Sequence, residues 1–125
     1  MPLESVLIVD DHAAFRAVAR MLLAEHGFTV VGDAADGRSA LESAAVLRPQ
    51  LVVLDVQLPD LDGFEVCRRL LLAFRPPRVV LVSTREAVDY GGRIADSGAA
   101  GFITKSRLSG DTLRAILGGH GGVES

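Results

Sequence analysis

The residues of this chain that could do chemistry are carboxylates, hydroxyls and a lysine that close short apolar runs. They are Asp10, Asp11, Asp55, Ser83, Thr84 and Lys105. Carboxylates held close together repel one another, so unless one takes up a proton they require a cation between them. Ligands that are all oxygen favour Mg²⁺, Mn²⁺ or Ca²⁺ over zinc. Brought together by a fold, these residues would form a site for a hard divalent cation.

A metal ion of this kind would favour phosphoryl chemistry at one of the carboxylates. Mg²⁺ keeps several waters at about 2.0–2.1 Å and so leaves room for a phosphate oxygen. A carboxylate beside a metal and a lysine can attack phosphorus and form an aspartyl phosphate, since the cations neutralise the equatorial oxygens. Asp55 is best placed for this role because it stands alone after its apolar run, whereas Asp10 and Asp11 share a turn suited to holding metal.

The elements that must position these residues follow from the spacing of apolar residues. Runs rich in valine, isoleucine and leucine predict buried strands at 6–9, 28–31, 51–54, 79–82 and a weaker one at 101–104. Between them, apolar residues at helical spacing predict amphipathic helices. The helical sets are Phe15, Val18, Ala19 and Leu22; Leu41, Ala44 and Ala45; and Phe64, Cys67, Leu70, Leu71 and Phe74. The fourth helix should be the softest, because Gly91 and Gly92 fall in its middle.

Strand and helix therefore alternate five times, which predicts an α/β fold. Continuous apolar strands are typical of a parallel sheet covered on both faces, with right-handed crossovers through the helices. We expect a doubly wound, five-stranded flavodoxin-like (βα)5 sheet in the order 2-1-3-4-5. In such sheets ligands bind beyond the carboxyl ends of the strands, which is where the candidate residues stand.

Composition limits the class of protein. The 125 residues suit one domain, and 49% apolar residues against 23% charged argue against disorder. A net charge of −3 gives no general attraction to nucleic acid or anionic lipid. One cysteine excludes an internal disulfide, and the sequence shows neither a signal peptide nor a membrane span. We expect a cytoplasmic protein with its domain at 1–117 and a glycine-rich tail or linker start at 118–125.

Receiver domains of bacterial two-component response regulators resemble this chain in three strings over nearly its whole length. The strings are VLIVDDH at 6–12, LVVLDVQLPDLDG at 51–63 and GAAGFITK at 98–105. The acidic pair, the lone aspartate before a Pro and Gly loop, the serine and the lysine occur in order, which makes a specific combined signal. The opening DDH with Arg16 close behind, and the approach to Lys105, look most like the NarL/LuxR-type regulators. Those normally continue into a helix-turn-helix DNA-binding domain, so we expect either an excised receiver or a stand-alone one.

The resemblance implies a metal site built from named positions. Asp55 would be the phosphoacceptor and a Mg²⁺ ligand, Asp11 a direct ligand, and Asp10 a ligand acting through water. The backbone carbonyl of Gln57 would complete the protein's share, with Mn²⁺ as an alternative ion. His12 is expected on the exposed start of the first helix rather than on the metal.

The resemblance also implies a switch. Lys105 would pair with a phosphoryl oxygen, and the Ser83 hydroxyl would move to bond another once Asp55 is modified. Phe102 occupies the place of the family's switch aromatic, which turns inward as that hydroxyl moves. Many relatives have a cis proline after the lysine, but Ser106 stands here, so we expect a trans bond or an altered loop.

Partners follow from the same resemblance. The donor would be a phosphohistidine on a sensor histidine kinase or a phosphotransfer protein, with small acyl phosphates as substitutes. Partner binding or homodimerisation would change on the face of the fourth helix, fifth strand and fifth helix. The chain would bind neither nucleic acid nor membrane directly, would regulate transcription only through an attached output domain, and would catalyse only its own phosphorylation and dephosphorylation.

Other interpretations remain open from the sequence. Asp10 and Asp11 could simply cap the first helix; Lys105 could be a solvated loop residue, Phe102 a core residue, and Thr84 the switch hydroxyl. A haloacid-dehalogenase-type phosphatase also uses an aspartate nucleophile and Mg²⁺, but it usually has a second acid two residues later, where Gln57 stands. A flavodoxin-like flavin binder would need donor-rich rather than acidic loops. A degenerate receiver that acts only through protein contacts would not keep the full polar set.

Overall fold

Strands and helices alternate in the computed structural model, which describes residues 4–118 and the backbone of residues 123 and 124. The strands are β1 (Ser5–Val9), β2 (Thr29–Ala34), β3 (Leu51–Asp55), β4 (Arg78–Ser83), β5 (Gly101–Thr104) and β6 (Val123–Glu124). The helices are α1 (Ala13–Glu25), α2 (Gly37–Leu47), α3 (Gly63–Leu70), α4 (Arg93–Asp96) and α5 (Gly110–Leu117). Two 3₁₀ turns, Ala87–Tyr90 and Lys105–Arg107, follow β4 and β5.

The strands form one parallel sheet in the order β2-β1-β3-β4-β5-β6. The predicted doubly wound fold with strand order 2-1-3-4-5 is confirmed, and the two-residue β6 adds to its edge by pairing with β5 at Phe102 and Ile103. The chain runs outward from β1 to β2 and returns to β3 on the other side of β1. Apart from Gly118 and the backbone of β6, the predicted tail at 118–125 lies outside the described residues.

Both faces of the sheet are covered by helices. Leu7 and Val9 of β1 belong to a cluster that includes residues of α2 and α3, whereas Val6 and Ile8 belong to one that includes residues of α1 and α5. Successive side chains of a strand point to opposite faces, so a run without polar interruption is required where both faces are buried. This is why the predictions of β1, β3, β4 and β5 are confirmed. The strand predicted at 28–31 is instead Thr29–Ala34, where only Ala34 is buried, so its polar second half gave no apolar signal.

Each of the three helical sets differs in part from the sequence prediction, and in α2 Ala45 is exposed. In α1 the fully buried residues are Ala19 and Leu23, while Val18 is 54% exposed. The third helix ends at Leu70, and Phe74, which was expected on its apolar face, is 95% exposed. After Leu70 the backbone turns through bonds between residues three apart, and the Pro76-Pro77 pair that follows cannot continue a helix.

The segment predicted as a soft fourth helix is divided at its glycines. Gly91 has a φ of +58° and separates the 3₁₀ turn Ala87–Tyr90 from the four-residue α4. Only glycine adopts this backbone conformation readily, because it lacks a Cβ.

Among the described residues, no helix combines the length and the apolar character that crossing a membrane requires.

Candidate functional site

The carboxyl ends of β1 and β3 bring the acidic residues together. Val9 of β1 pairs with Leu54 of β3, and Asp10 and Asp55 directly follow these two paired residues. Both aspartates therefore lie at the same edge of the sheet. Both side chains are buried, with Asp10 at 0% and Asp55 at 2% exposure. Carboxylate oxygens of Asp10, Asp11 and Asp55 and a ring nitrogen of His12 all lie within 4.8 Å of one another.

Lys105 enters this acidic cluster from the end of β5. Its Nζ lies 2.5 Å from Asp10 Oδ2 and 3.2 Å from Asp55 Oδ2, and it is 4.7 Å from the centre of the Phe15 ring. The side chain is only 11% exposed, so it is not a solvated loop lysine. The peptide bond from Lys105 to Ser106 is trans, as expected, and opens the second 3₁₀ turn.

Burial and charge shift the acidity of these groups. Burial raises the pKa of Asp55 to about 6, and the nearby Asp10 charge adds to this, while the backbone N–H of Gln57 and the ammonium of Lys105 oppose it. Burial also acts to lower the pKa of Lys105, but the short contact with Asp10 and the charges of both aspartates outweigh it and raise that pKa. At neutral pH the cluster therefore holds an ammonium beside a mostly ionised Asp55.

Both carboxylate oxygens of Asp10 have a polar neighbour. Its Oδ1 accepts from the backbone N–H of His12 at 2.8 Å, and the Lys105 ammonium lies 2.5 Å from its buried Oδ2. A single ammonium beside three carboxylates leaves excess negative charge, which suits a bound divalent cation. Together with the proximity of Asp11 and Asp55, it fits an oxygen-ligated divalent ion.

His12 lies closer to the acidic residues than the sequence prediction placed it. Its ring is 68% exposed at the start of α1, as expected, but Nδ1 lies 3.0 Å from Asp11 Oδ1 and 3.1 Å from Asp10 Oδ1. His12 is the N-cap residue of α1 and makes no side-chain cap bond. Asp10 accepts from the N-cap residue itself rather than from the first turn of the helix, so capping does not account for its burial.

The Ser83 hydroxyl, which is predicted to switch, is buried, whereas the alternative hydroxyl of Thr84 is on the surface. Ser83 is fully buried, and its Oγ lies 2.6 Å from the phenolic oxygen of Tyr90 and accepts from the Arg85 backbone N–H at 3.0 Å. Thr84 is exposed. Phe102 is fully buried within the core and its ring lies 5.9 Å from that of Tyr90; its role as a switch residue stays a prediction. Tyr90 is not among the predicted site residues, and its place beside Gly91 and Gly92 is its only signal in the sequence.

The loop after Asp55 is held in place by further aspartates that the sequence did not single out. Gln57 donates its backbone N–H to Asp55 Oδ1 at 3.0 Å; its carbonyl as a metal ligand stays a prediction. Asp60 accepts from the Gly37 backbone N–H at 2.7 Å, which together with its other backbone bonds lowers its pKa. Asp62 caps α3 by accepting from the Phe64 N–H at 2.8 Å.

Gly63 is required where α3 starts against the end of β3. A Cβ on Gly63 would lie 2.4 Å from the Asp55 carbonyl oxygen and 2.6 Å from the Val56 Cα. The Gly63 N–H also bonds the Val56 carbonyl at 2.8 Å. The glycine predicted as a turn former thus lets the helix approach the backbone that carries Asp55.

Known proteins resemble this chain in sequence and in fold. The family profile of the response regulator receiver domain matches residues 6–117. The transcription regulator BvgA of Bordetella pertussis is 36% identical over 118 residues, which are 92% of this chain and 56% of that protein. The receiver domain of the response regulator NarL from Mycobacterium tuberculosis superposes with a TM-score of 0.83 at 30% identity and covers 96% of this chain and 98% of that one. A LuxR-family response regulator from Aurantimonas sp. SI85-9A1 gives 0.83 at 27% identity, covering 98% and 89%.

The chain belongs to the response regulator receiver domains of two-component systems. The predicted likeness to NarL/LuxR-type regulators is confirmed, since such regulators are among its structural neighbours. The chain spans about half the length of the curated relatives it matches.

Proposed function

We propose that this receiver domain takes a phosphoryl group onto Asp55 from a phosphohistidine donor, with Mg²⁺ as cofactor, and that the modification switches partner binding. The observation that carries the proposal is the position of Lys105, whose ammonium lies within 3.2 Å of Asp55 and 2.5 Å of Asp10 in a nearly closed site. An ordinary structural ion pair needs one carboxylate, not three converging on one edge of a sheet.

Asp55 is suited to act as the nucleophile. A bond forms between an Asp55 carboxylate oxygen and phosphorus as the bond from phosphorus to the donor nitrogen breaks, and the imidazole leaves with its electron pair. With a pKa of about 6, the carboxylate is mainly ionised at neutral pH and can attack without a separate base. Lys105 stays within reach of the oxygens that gain charge.

The metal would be held by the acidic residues, with Asp11 and Asp55 as direct ligands, Asp10 through water and Gln57 through its carbonyl. When bound, the ion supplies positive charge to the phosphoryl oxygens. The chain's own part is to keep the carboxylates converged, through the strand register and through the bond from Gln57 N–H to Asp55.

Incubation with acetyl phosphate and Mg²⁺, followed by intact mass measurement, tests this function. The native protein should gain the mass of one phosphoryl group, and Asp55→Asn should not. Asp60→Asn is a matched control, because Asp60 is an exposed aspartate of the same loop and should leave the modification intact. Equal labelling of the native protein and Asp55→Asn would contradict the proposal.

The same experiment separates the rivals. Release of many phosphates per molecule from simple esters would indicate a phosphatase instead, and a yellow purified protein would indicate a flavin binder. Gln57, in place of the second acid that such phosphatases usually carry, is the sequence feature that argues against the first rival.

For the whole protein, we propose a cytoplasmic regulator of transcription that uses an attached output domain, with residues 1–117 as its receiver and 118–125 as tail or linker. BvgA, named as a transcription regulator, supports this role. The donor would be a sensor histidine kinase or phosphotransfer protein. Modification would promote homodimerisation through the face of α4, β5 and α5, and direct contact with nucleic acid or membrane is not expected from this domain.

A further inference from the structure

The Ser83 hydroxyl is bound by its own loop rather than by the acidic site. Its two hydrogen-bond partners, the Tyr90 phenol and the Arg85 N–H, both lie in the segment that follows β4. A hydroxyl has one proton and two acceptor positions, so these partners occupy most of its bonding capacity. Because Ser83 is fully buried, water cannot take over either bond while the segment keeps this conformation.

Tyr90 is the aromatic residue with room to change its exposure. Its ring lies 5.6 Å from that of Phe64 and 5.9 Å from that of Phe102, between the two. Phe102 is already fully buried, whereas Tyr90 is half-buried, so an outward movement of Tyr90 can expose new surface while Phe102 stays in the core. The ring also connects the start of α3 to β5 through these two contacts.

The backbone around Tyr90 permits such a movement. Tyr90 ends a 3₁₀ turn, and Gly91 follows it with a φ of +58° and open space around the position of a Cβ. An apolar groove of about 470 Å³ lies beside the turn, with Val88, Ile94 and Ala99 among its lining residues. Ala87 and Tyr90 pack on the core, but at Gly91 and on the groove side there is space into which the turn can shift.

We propose that Tyr90 is the positioning residue that restrains the Ser83 hydroxyl in the unmodified domain, and that modification of Asp55 exchanges the Ser83–Tyr90 bond for a bond to a phosphoryl oxygen. This rests on the proposed function at Asp55. If Ser83 donates to Tyr90, the phosphoryl oxygen competes for the only proton. If Tyr90 donates, the bond still anchors Oγ to the loop, so any shift of the hydroxyl releases the phenol.

Tyr90 is the only tyrosine in a chain without tryptophan, which makes it a direct probe. With 3-fluorotyrosine incorporated, the protein has a single ¹⁹F resonance. Addition of Mg²⁺ and beryllofluoride, a phosphoryl mimic, should move this resonance, and in Ser83→Ala the movement should be much smaller because no bond is exchanged. A resonance that stays in place while calorimetry shows the mimic bound would overturn the inference.

A double-mutant cycle tests the competition itself. Tyr90→Phe keeps the ring and removes the hydroxyl, so it should tighten beryllofluoride binding roughly three- to tenfold, the range that one net hydrogen bond supplies. In the Ser83→Ala background the same change should have no effect. Thr84→Ala, which removes the neighbouring exposed hydroxyl, should behave as the native protein.

The outcomes separate this inference from the proposed function. If the native protein neither forms an aspartyl phosphate nor binds the mimic, the proposed function fails and this inference fails with it. If the native protein does both, but Tyr90→Phe has the same effect with and without Ser83, only the role of Tyr90 is overturned.

Discussion

Lys105 lies closer to Asp10 than to Asp55, the residue it is expected to assist. Its Nζ is 2.5 Å from Asp10 Oδ2 and 3.2 Å from Asp55 Oδ2, and all three groups are nearly excluded from solvent. In this arrangement the ammonium places a positive charge between two buried acidic side chains, which reduces their mutual repulsion.

Loss of that charge should destabilise the metal-free domain. Lys105→Met leaves two buried carboxylates without a cation, and removing one partner of a buried ion pair costs about 3–5 kcal/mol. Urea unfolding in EDTA should show this loss of stability. Mg²⁺ should restore part of the stability, because the metal cation can take the place of the missing ammonium. Arg107→Met, which removes an exposed cation of the same 3₁₀ turn, should change stability little in either buffer.

The raised pKa of Asp55 predicts a pH dependence of stability. With a folded pKa of about 6 against 3.8 ordinarily, the ionised form costs stability above pH 6, and the cost disappears as the pH falls through 6 toward 4. Asp55→Asn should therefore be more stable than the native protein in EDTA at pH 8, by about 2–3 kcal/mol, with the difference vanishing near pH 4. Urea unfolding at several pH values measures it.

Asp60→Asn provides the control of opposite sign. Backbone N–H bonds lower the Asp60 pKa, so its ionised form stabilises the fold above its ordinary pKa, and that contribution is lost on acidification. This variant should be less stable than the native protein at pH 8. An Asp55→Asn variant that loses stability in the same way would contradict the electrostatic account of the site.

Asp11 should govern metal affinity with little effect on the metal-free fold. Its side chain is about one-third exposed, and the ion pairs of Lys105 are with Asp10 and Asp55. Mg²⁺ at one hundred times its Kd should stabilise the native protein by about 2.7 kcal/mol, and this gain should be largely absent in Asp11→Ala. Glu42→Ala, which removes an exposed acid on α2, should keep it; equal Mg²⁺ stabilisation of Asp11→Ala would contradict the ligand assignment.

Gly63→Ala should destabilise the domain because the new Cβ would clash with the backbone of Asp55 and Val56 at the end of β3. The closest atom, the Asp55 carbonyl oxygen, would be 2.4 Å away, and overpacking of this kind costs about 1–3 kcal/mol or more. Thermal unfolding measures the loss. Gly92→Ala is the matched control, since the nearest atom there is 3.7 Å away, so the change adds no clash and should cost much less than Gly63→Ala.

Dimerisation through the proposed face should depend on Val88. Its side chain is 84% exposed beside α4, and an aspartate there would place a charge in the interface. Light scattering should show a dimer of the native protein with beryllofluoride and a monomer of Val88→Asp. Val46→Asp, at an 81% exposed position on α2, should still dimerise. A native protein that stays monomeric with and without the mimic would count against this face.

Sequence patterns were sufficient for the sheet and for the place of the site. β1, β3, β4 and β5 could be predicted because burial on both faces demands uninterrupted apolar runs, and Asp10, Asp55 and Lys105 could be located because each follows or closes such a run. β2 was predicted only in part, because its second half contains Gly32 and Asp33 and Ala34 is its one buried residue. Helix faces were harder. Val18 and Phe74 fit a helical period, but the first lies outward and the second follows the end of its helix.

The sequence by itself determined that Asp10, Asp55 and Lys105 meet at one edge of a parallel sheet, because parallel strands end on the same side whatever the details of packing. Only the tertiary structure decided that Asp10 is fully buried while adjacent Asp11 is partly exposed, and that the Tyr90 phenol hydrogen-bonds the Ser83 hydroxyl. These contacts depend on where a loop and its side chains settle against residues distant in the chain. A local pattern of residue types does not predict which residues far apart in the chain come into contact.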